Sequence, residues 1–249
     1  MHPACSTAIH PAEFNLEITM TSSASTLRLY SGRLSMFGAK VQIAALEKNI
    51  PLDVEMVHFT QHEGYHPKHP EVVRINPKTQ VPVLVHGDLE LFDSTQIFEY
   101  LEDLQPGPAL WPLDVRQRAR ARQLEHLSDE VYFPQVVRLM SLQDTLNDAA
   151  AIAAIQAARD FYRRLEPLLQ TQSYVAGSYS FADIALYMAL LFGERMSAGI
   201  TPATPQLLAW RERMGQRPAV RAVVLPMAAY LRSDGQPLPP FLAALLDGA

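Results

Sequence analysis

The sequence is poor in cysteine, in positive charge and in long apolar runs. Its one cysteine, Cys5, cannot form a disulfide within the chain, and there is neither a cysteine-rich zinc site nor a CxxC redox pair. With 21 basic and 26 acidic side chains the net charge is −5, which disfavours binding to nucleic acid by phosphate neutralisation. The longest clean apolar run, residues 184–192, is far shorter than the roughly 18 residues of a membrane span.

The overall amino-acid composition is that of a globular protein. Of the 249 residues, 48% are hydrophobic and 19% are charged, which favours one large domain or two small ones over disorder or a coiled coil. Residues 1–105 carry 7 basic and 13 acidic side chains (net −6), whereas residues 106–249 carry 14 and 13 (net +1). The proline-rich stretch 105–108 lies at this division and is typical of a linker.

Five segments are predicted from this division. They are a disordered tail (1–26), a first domain (27–105), a linker (106–112), a second domain (113–232) and a C-terminal tail (233–249). The N-terminal tail has no arginine and no apolar stretch like that of a signal peptide, so a cytoplasmic protein is expected. Met20 is a plausible second start, and Cys5 is a poor candidate for a catalytic thiol because it lies in this tail.

Strand and helix patterns alternate in the first domain and give way to helices alone in the second. Parallel strands joined by a helix and followed by a hairpin at Gly87-Asp88 predict an α/β domain. The predicted strands are 27–31, 52–59, 81–86 and 89–92, and the predicted helices are 35–48 and 94–104. The second domain is predicted to be an all-α helical bundle, with helices at 113–142 (kinked at Pro134), 146–169, 180–192, 206–214 and 219–231.

Five motifs in this order resemble the soluble glutathione transferase family, serine type. The resemblance covers roughly residues 27–232 and implies a thioredoxin-like N-terminal domain followed by an all-helical C-terminal domain. The motifs are Leu29-Tyr30-Ser31 with Ser35 and Lys40-Val41, the segment 76–84 (NPKTQVPVL, close to the family's NPxGQVPxL), Asp93-Ser94, the segment 180–184 (SFADI), and the segment 210–220 with Arg217-Pro218.

The resemblance implies that glutathione is bound by Lys68, Gln80, Val81, Pro82, Asp93 and Ser94. A cis bond before Pro82 would present the Val81 backbone to the cysteinyl unit of glutathione as an added strand. Ser94 opens a helix, whose free amides favour the γ-glutamyl carboxylate, and Asp93 would pair with the ammonium group. Gln80 is expected to bind the glutathione backbone or glycyl end, and Lys68 the glycyl carboxylate. Each of these roles has a structural alternative: Pro82 merely starts a strand, Ser94 only caps a helix, and Lys68 is a solvated lysine.

Ser35 is the candidate for activating the glutathione thiol. It is predicted at the start of the first helix, where its hydroxyl and the helix dipole would favour the thiolate, which is the nucleophile. Tyr30 is the second choice and Ser31 is also close. An alternative is that Ser35 only caps the helix.

The second substrate is expected between the domains. Leu34, Met36 and Phe37 of the first domain, and Tyr132 and Phe133 beside Pro134, are the candidate contacts, with core packing as the alternative for the aromatic residues. Four histidines also cluster, but glycine and proline interrupt the helix that a zinc site would need, so no metal is expected. They are His58, His62, His66 and His69.

The expected activity is attack of the glutathione thiolate on an electrophilic, hydrophobic small molecule, in a cytoplasmic homodimer with a role in detoxification. The segment from Gln61 to the proline loop also looks like that of bacterial enzymes that cleave β-aryl ethers with glutathione. The alternatives are a non-catalytic binding or scaffold protein with this fold, and a glutathione-dependent isomerase or dehalogenase. Neither nucleic acid nor a membrane is an expected partner.

One further pattern concerns folding. Ser180 and Asp183 have the spacing of a helix capping box, and the apolar helix that follows them must be buried within the bundle. The cap is therefore predicted to be buried as well.

Overall fold

The computed structural model describes residues 26–60, 62–104 and 107–248. Nearly all of the predicted N-terminal tail, with Cys5 and Met20, lies outside the described residues, as do Gln61 and the start of the predicted linker. The described chain forms an α/β domain followed by an all-helical domain, which confirms the predicted fold class.

The first domain is thioredoxin-like and is built on a mixed four-stranded sheet. The order of strands is β2-β1-β3-β4, with β1 and β2 parallel and β3 antiparallel to both of its neighbours. The strands are β1 (Arg28–Ser31), β2 (Asp53–Met56), β3 (Val83–His86) and β4 (Leu89–Phe92), and the helices are α1 (Met36–Glu47), α2 (Pro70–Ile75) and α3 (Ser94–Leu104). Helix α2 falls in a stretch that the sequence pattern left irregular; its first residue is Pro70, and His69 caps it.

Helix α1 lies between the sheet and the helical domain and is buried on nearly every side. Val41 and Ala45 pack against the sheet, whereas Met36, Ala39 and Ile43 belong to the core of the helical domain. This helix is therefore held by both domains.

The second domain contains seven α-helices among the described residues. They are α4 (Val115–His126), α5 (Phe133–Val137), α6 (Ala149–Leu165), α7 (Phe181–Arg195), α8 (Pro205–Gly215), α9 (Pro218–Ser233) and α10 (Pro240–Asp247). Helix α7 is the centre of the bundle, with all residues from 181 to 193 buried. Within the described residues, no helix combines the length and the apolarity that crossing a membrane requires.

The sequence predicted one long helix kinked at Pro134, whereas the structure does not keep α-helical geometry through this stretch. The chain instead leaves α4 through a π-helical turn, Leu127–Tyr132, and resumes as the short helix α5. Proline lacks the amide of a regular helix and its ring collides with the carbonyl four residues earlier, here that of Glu130. The wider turn is one of the known ways to accommodate this conflict.

The predicted C-terminal tail contains helix α10, which packs on α9. Leu242 of α10 is fully buried in the core of the helical domain. Its apolar face thus belongs to the bundle.

Asp183 is the polar centre of the helical domain. Its carboxylate is buried and accepts four hydrogen bonds: from the amides of Ser180 (3.1 Å) and Val175 (3.0 Å), the Ser180 hydroxyl (3.2 Å) and the Trp210 indole (2.9 Å). Burial raises the pKa of Asp183 to about 6, against the effect of these donors. The predicted capping box is present, and the same carboxylate also holds the loop before α7 and a tryptophan from α8.

We expect Asp183→Ala to lower the free energy of unfolding by at least about 2 kcal/mol, because an unsatisfied buried polar group costs about 1–3 kcal/mol. Asp114→Ala is the matched control, since Asp114 caps α4 at the surface and such caps contribute about 1 kcal/mol. Urea unfolding compares the two variants. An Asp183→Ala loss no larger than that of the control would contradict a structural role beyond capping.

Candidate functional site

Two adjoining cavities lie between the α/β domain and the helical domain. The first, about 280 Å³, is lined mainly by polar residues and is called the polar cavity here. The second, about 310 Å³, is lined mainly by apolar residues and is called the apolar cavity. Phe37, Gln80 and Val81 line both. The cleft can therefore hold a polar ligand and an apolar ligand side by side.

The start of helix α3 forms one wall of the polar cavity. Asp93 has φ 74°, in the left-handed region, and its Oδ1 accepts hydrogen bonds from the amides of Thr95 (3.0 Å) and Gln96 (3.3 Å). Asp93 is exposed and Ser94 is buried. Among the described residues, neither the amide nor the hydroxyl of Ser94 has a hydrogen-bond partner. This helix start is thus suited to an anionic group.

The loop between α2 and β3 is held by Asn76. Its side chain donates to the carbonyl of Gln80 (2.6 Å) and accepts from the amide of Lys78 (2.9 Å). The Val81–Pro82 bond is cis, as the resemblance implies. Regular pairing of β3 with its neighbours begins at Val83, so Val81 stands outside the ladder, at the edge of both cavities. Asn76 belongs to the quoted motif, but its bracing role was not predicted.

Ser35 lies at the start of α1 and lines the apolar cavity. Its Oγ accepts a hydrogen bond from the amide of Gly38 (3.0 Å), so the serine is a helix cap whose own proton can still be donated. Ser31 is fully buried and accepts from Gln42 (3.0 Å). Tyr30 packs on the ring of His69, with centroids 4.9 Å apart. Neither Tyr30 nor Ser31 lines either cavity.

A buried ion cluster borders the polar cavity. The ammonium of Lys40, on α1, donates to Glu125 (3.1 Å) and to Asp129, both in the helical domain. The Thr95 hydroxyl also donates to Glu125 (2.5 Å). Burial raises the pKa of the Asp129 carboxyl to about 6, and the Lys40 charge opposes that rise. The residues joined here are 30 to 89 positions apart in sequence, and no local pattern pointed to them.

The apolar cavity has walls from both domains. Four of the candidate contacts named from the sequence line it: Leu34, Met36 and Phe37 from the first domain, and Phe133 from the helical domain. The rings of Phe37 and Phe133 meet edge to face, with centroids 4.8 Å apart. Val137, Met140 and Phe192 complete the helical wall without having been predicted.

Tyr132 is a correction to the predicted second-substrate site. Its side chain is 1% exposed and its hydroxyl is hydrogen-bonded to that of Tyr162 (2.7 Å), inside the helical domain. It does not line the apolar cavity. The π-helical turn directs this residue into the core and its neighbour Phe133 into the cleft.

The segment between β2 and α2 contributes to the apolar cavity through Tyr65, Lys68 and His69. Lys68 was a predicted contact for glutathione, whereas Tyr65 was not singled out by the sequence. His69 is bound by Glu55 (3.1 Å), and the other three clustered histidines are exposed. Among the described residues, no three or more histidine, cysteine or acidic side chains form a group able to hold a metal ion.

Comparison with known proteins places this fold and cleft in one family. A family model described as glutathione S-transferase, N-terminal domain, matches residues 29–109, and one described as glutathione S-transferase, C-terminal domain, matches residues 131–218. Glutathione S-transferase 2 of Saccharomyces cerevisiae is 30% identical over 209 residues, covering 79% of this chain and 88% of the yeast protein. The chain belongs to the glutathione S-transferase family.

Solved structures agree with this assignment. A glutathione S-transferase from Rhodospirillum rubrum F11 is 26% identical with a TM-score of 0.67, covering 80% of this chain and 92% of that one. A glutathione S-transferase from Methylobacillus flagellatus KT, with glutathione bound, is 24% identical with a TM-score of 0.68, covering 80% and 98%. At 24% identity, the similarity to the Methylobacillus structure shows a shared fold and nothing more.

Thr79 stands where the family's loop motif has glycine, and its φ is 51°. A left-handed non-glycine residue costs roughly 1–2 kcal/mol, and glycine's greater freedom in the unfolded chain offsets about 0.5–1 kcal/mol of that. We therefore expect Thr79→Gly to raise the free energy of unfolding by up to about 1 kcal/mol. Thr145→Gly, at an exposed position without a positive φ, should lower it. Urea unfolding that shows equal losses for both variants would refute this explanation.

Proposed function

We propose that this chain is a serine-type glutathione transferase that stabilises the thiolate of glutathione for attack on a hydrophobic electrophile. The observation that carries the proposal is the junction of the two cavities. A polar cavity with an anion-binding helix start meets an apolar cavity with a serine hydroxyl, and the Val81 backbone borders both. A tripeptide lying across the junction would bring its thiol to the second substrate.

Each end of glutathione has a candidate partner. The γ-glutamyl carboxylate would bind the amide and hydroxyl of Ser94 at the start of α3. Its ammonium group would face Asp93, on a cavity that Glu125, Asp129 and Glu130 also make acidic. This arrangement suits a zwitterionic group, which needs both charges neutralised.

The rest of the tripeptide would run along the loop before β3. The cysteinyl unit would pair with the backbone of Val81, next to cis Pro82, in the manner of an added strand. Gln80 is exposed at the same edge and is proposed to bind the glutathione backbone or its glycyl end. Lys68 is proposed for the glycyl carboxylate, since it lines the neighbouring cavity.

Ser35 is the proposed activating group. A thiol with a pKa near 8.5 is mostly protonated at neutral pH, and a hydroxyl that donates to sulfur at a helix start lowers that pKa. The Ser35 oxygen accepts from Gly38, which leaves its proton for the sulfur. Tyr30 and Ser31 are disfavoured because both lie outside the cavities.

The second substrate is proposed to be a hydrophobic small molecule held by Leu34, Met36, Phe37 and Phe133. β-Aryl ethers are the narrower candidate class to include in a substrate panel. We propose a cytoplasmic homodimer with a role in detoxification.

Asp93→Asn should weaken glutathione binding by about 1.5–3 kcal/mol, the range for hydrogen bonds to charged groups, which is at least a tenfold rise in Kd. Asparagine keeps an oxygen for the amides of Thr95 and Gln96, so the helix cap survives. Asp88→Asn is the matched control, because it removes the same charge from the exposed β3–β4 turn. Calorimetry that finds equal affinity for the two variants would remove Asp93 from the site.

Ser35→Ala should slow conjugation at pH 6.5 by at least about tenfold and move the pH–rate profile to higher pH, with little change in glutathione affinity. Loss of the α1 cap should also cost about 1 kcal/mol of stability, so rates are normalised to folded protein. Ser31→Ala and Tyr30→Phe serve as comparisons. A profile that moves with Tyr30→Phe and not with Ser35→Ala would overturn the serine-type assignment. Glutathione binding without conjugation of any electrophile in the panel would instead favour a binding protein.

A further inference from the structure

Arg195, the last residue of α7, is a half-buried cation beside the apolar cavity. It lies three residues after Phe192, on the same face of the helix, and Phe192 lines that cavity. On the other side is Tyr65, a wall residue whose hydroxyl accepts a hydrogen bond from the amide of Leu34 (3.3 Å). The charge of Arg195 lowers the pKa of Tyr65 against the effect of burial. The guanidinium therefore lies where α7 meets the segment between β2 and α2.

Arg195 has no counter-charge within the described part of the chain. Its side chain forms neither a hydrogen bond nor an ion pair with the described residues, and burial lowers the pKa of its guanidinium. The acid directly before it, Glu194, is already paired with Arg211 on α8. A charge that is taken from water without a partner costs free energy. Such a cost is expected where the charge serves a ligand.

The charges that line the cleft are divided between its two cavities. Four carboxylates line the polar cavity: Asp93, Glu125, Asp129 and Glu130. Of the described residues, no aspartate or glutamate lines the apolar cavity, whose wall includes Lys68 and His69. His69 is bound by Glu55 (3.1 Å), and Lys68 is assigned to the glycyl carboxylate under the proposed function. An anionic group is thus repelled by the polar cavity, and Arg195 is the cation beside the apolar one that has no partner assigned.

We propose that Arg195 is a specificity-determining residue that binds a carboxylate of the second substrate, and that the electrophiles it favours are apolar molecules with one such group. The proposal rests on the proposed function, because it requires the glutathione thiolate to attack in the apolar cavity. Ser35 then acts on the thiol, whereas Arg195 acts on a part of the electrophile that does not react. A charge-assisted hydrogen bond is stronger in these largely apolar surroundings than in water.

An aryl halide with a carboxylate is a suitable probe, and 4-chloro-3-nitrobenzoate is one. The thiolate sulfur forms a bond to the ring carbon that bears chlorine, and the ring and its nitro group hold the negative charge that develops. Chloride then leaves with the electrons of its bond, and the proton of the thiol goes to solvent. The carboxylate takes no part in these bond changes, so Arg195 affects the rate through binding and orientation.

The test compares this probe with 4-chloro-3-nitrobenzamide, which has the same ring, nitro group and leaving group without the charge. Arg195→Gln should lower kcat/KM for the benzoate at least about tenfold and leave that for the benzamide within about twofold. Because both rates come from one preparation, their ratio cancels any loss of folded enzyme.

Arg33→Gln is the matched control. Arg33 directly precedes the wall residue Leu34, but it is exposed, with its guanidinium 5.5 Å from the ring centroid of Tyr230. Salt at about 0.15 M screens exposed charges, so this variant should leave both rates within about twofold.

The melting temperature separates binding from a structural role. Removal of an unpaired half-buried charge should leave the Tm of Arg195→Gln equal to that of the wild type or higher. A cation that stabilises the end of α7 through the helix dipole predicts a lower Tm. A fall of more than about 2 °C, which corresponds to a real loss of stability in a chain of this size, would overturn the proposal.

Equal slowing of the benzoate by Arg195→Gln and Arg33→Gln would also overturn the proposal, since it would indicate general attraction by positive charge. So would equal slowing of benzoate and benzamide by Arg195→Gln, or no slowing of either. A wild-type enzyme that conjugates other electrophiles and not the benzoate would refute the Arg195 inference and leave the proposed function standing. A wild-type enzyme that binds glutathione and conjugates no electrophile would refute both.

Discussion

The buried charge of Lys40 constrains the arrangement of the two domains. A lysine that is 1% exposed requires a counter-charge, because removing one partner of a buried ion pair typically costs 3–5 kcal/mol. Lys40 lies on α1, in the first domain, and its partners Glu125 and Asp129 lie in the second. Once these groups are joined, the start of α1 must face the π-helical turn. The cleft between the domains follows from this contact.

The candidate site combines backbone turns and helix caps that are set locally with contacts between residues far apart in the sequence. The starts of α1 and α3 and the loop before β3 each have a backbone shape set within a few residues. Asp93 caps the two amides that follow it, and Asn76 braces the carbonyl of Gln80. The helical domain adds Phe133 and the acidic side chains, and this addition joins three separate segments into one cleft.

The parts of the site that the sequence predicted are those with local causes. Four of the predicted residues lie in short motifs whose turns and helix caps can be recognised from the sequence alone. They are Val81, Pro82, Asp93 and Ser94, and all four line the polar cavity. Tyr65 lies in a segment with no periodic pattern, so only its contact with Leu34 reveals it. The helical positions were harder still. Pro134 predicted an irregularity in the helix. Whether Tyr132 or Phe133 faces the cleft depends on the type of turn that accommodates the proline, which the sequence does not specify.

The π-helical turn at Leu127–Tyr132 therefore determines in which direction around the helix axis the side chains of the following helix α5 point. One turn of α-helix holds 3.6 residues, so a single extra residue rotates the later side chains by roughly 100° about the helix axis. Phe133 and Val137 owe their direction into the cleft to this phase. In a relative without the extra residue, the same apolar side chains would point elsewhere, and the substrate wall would be built from neighbouring positions. Insertion or loss of one residue here thus changes the shape of the apolar cavity, while the start of α3 and the loop before β3 in the α/β domain are left in place.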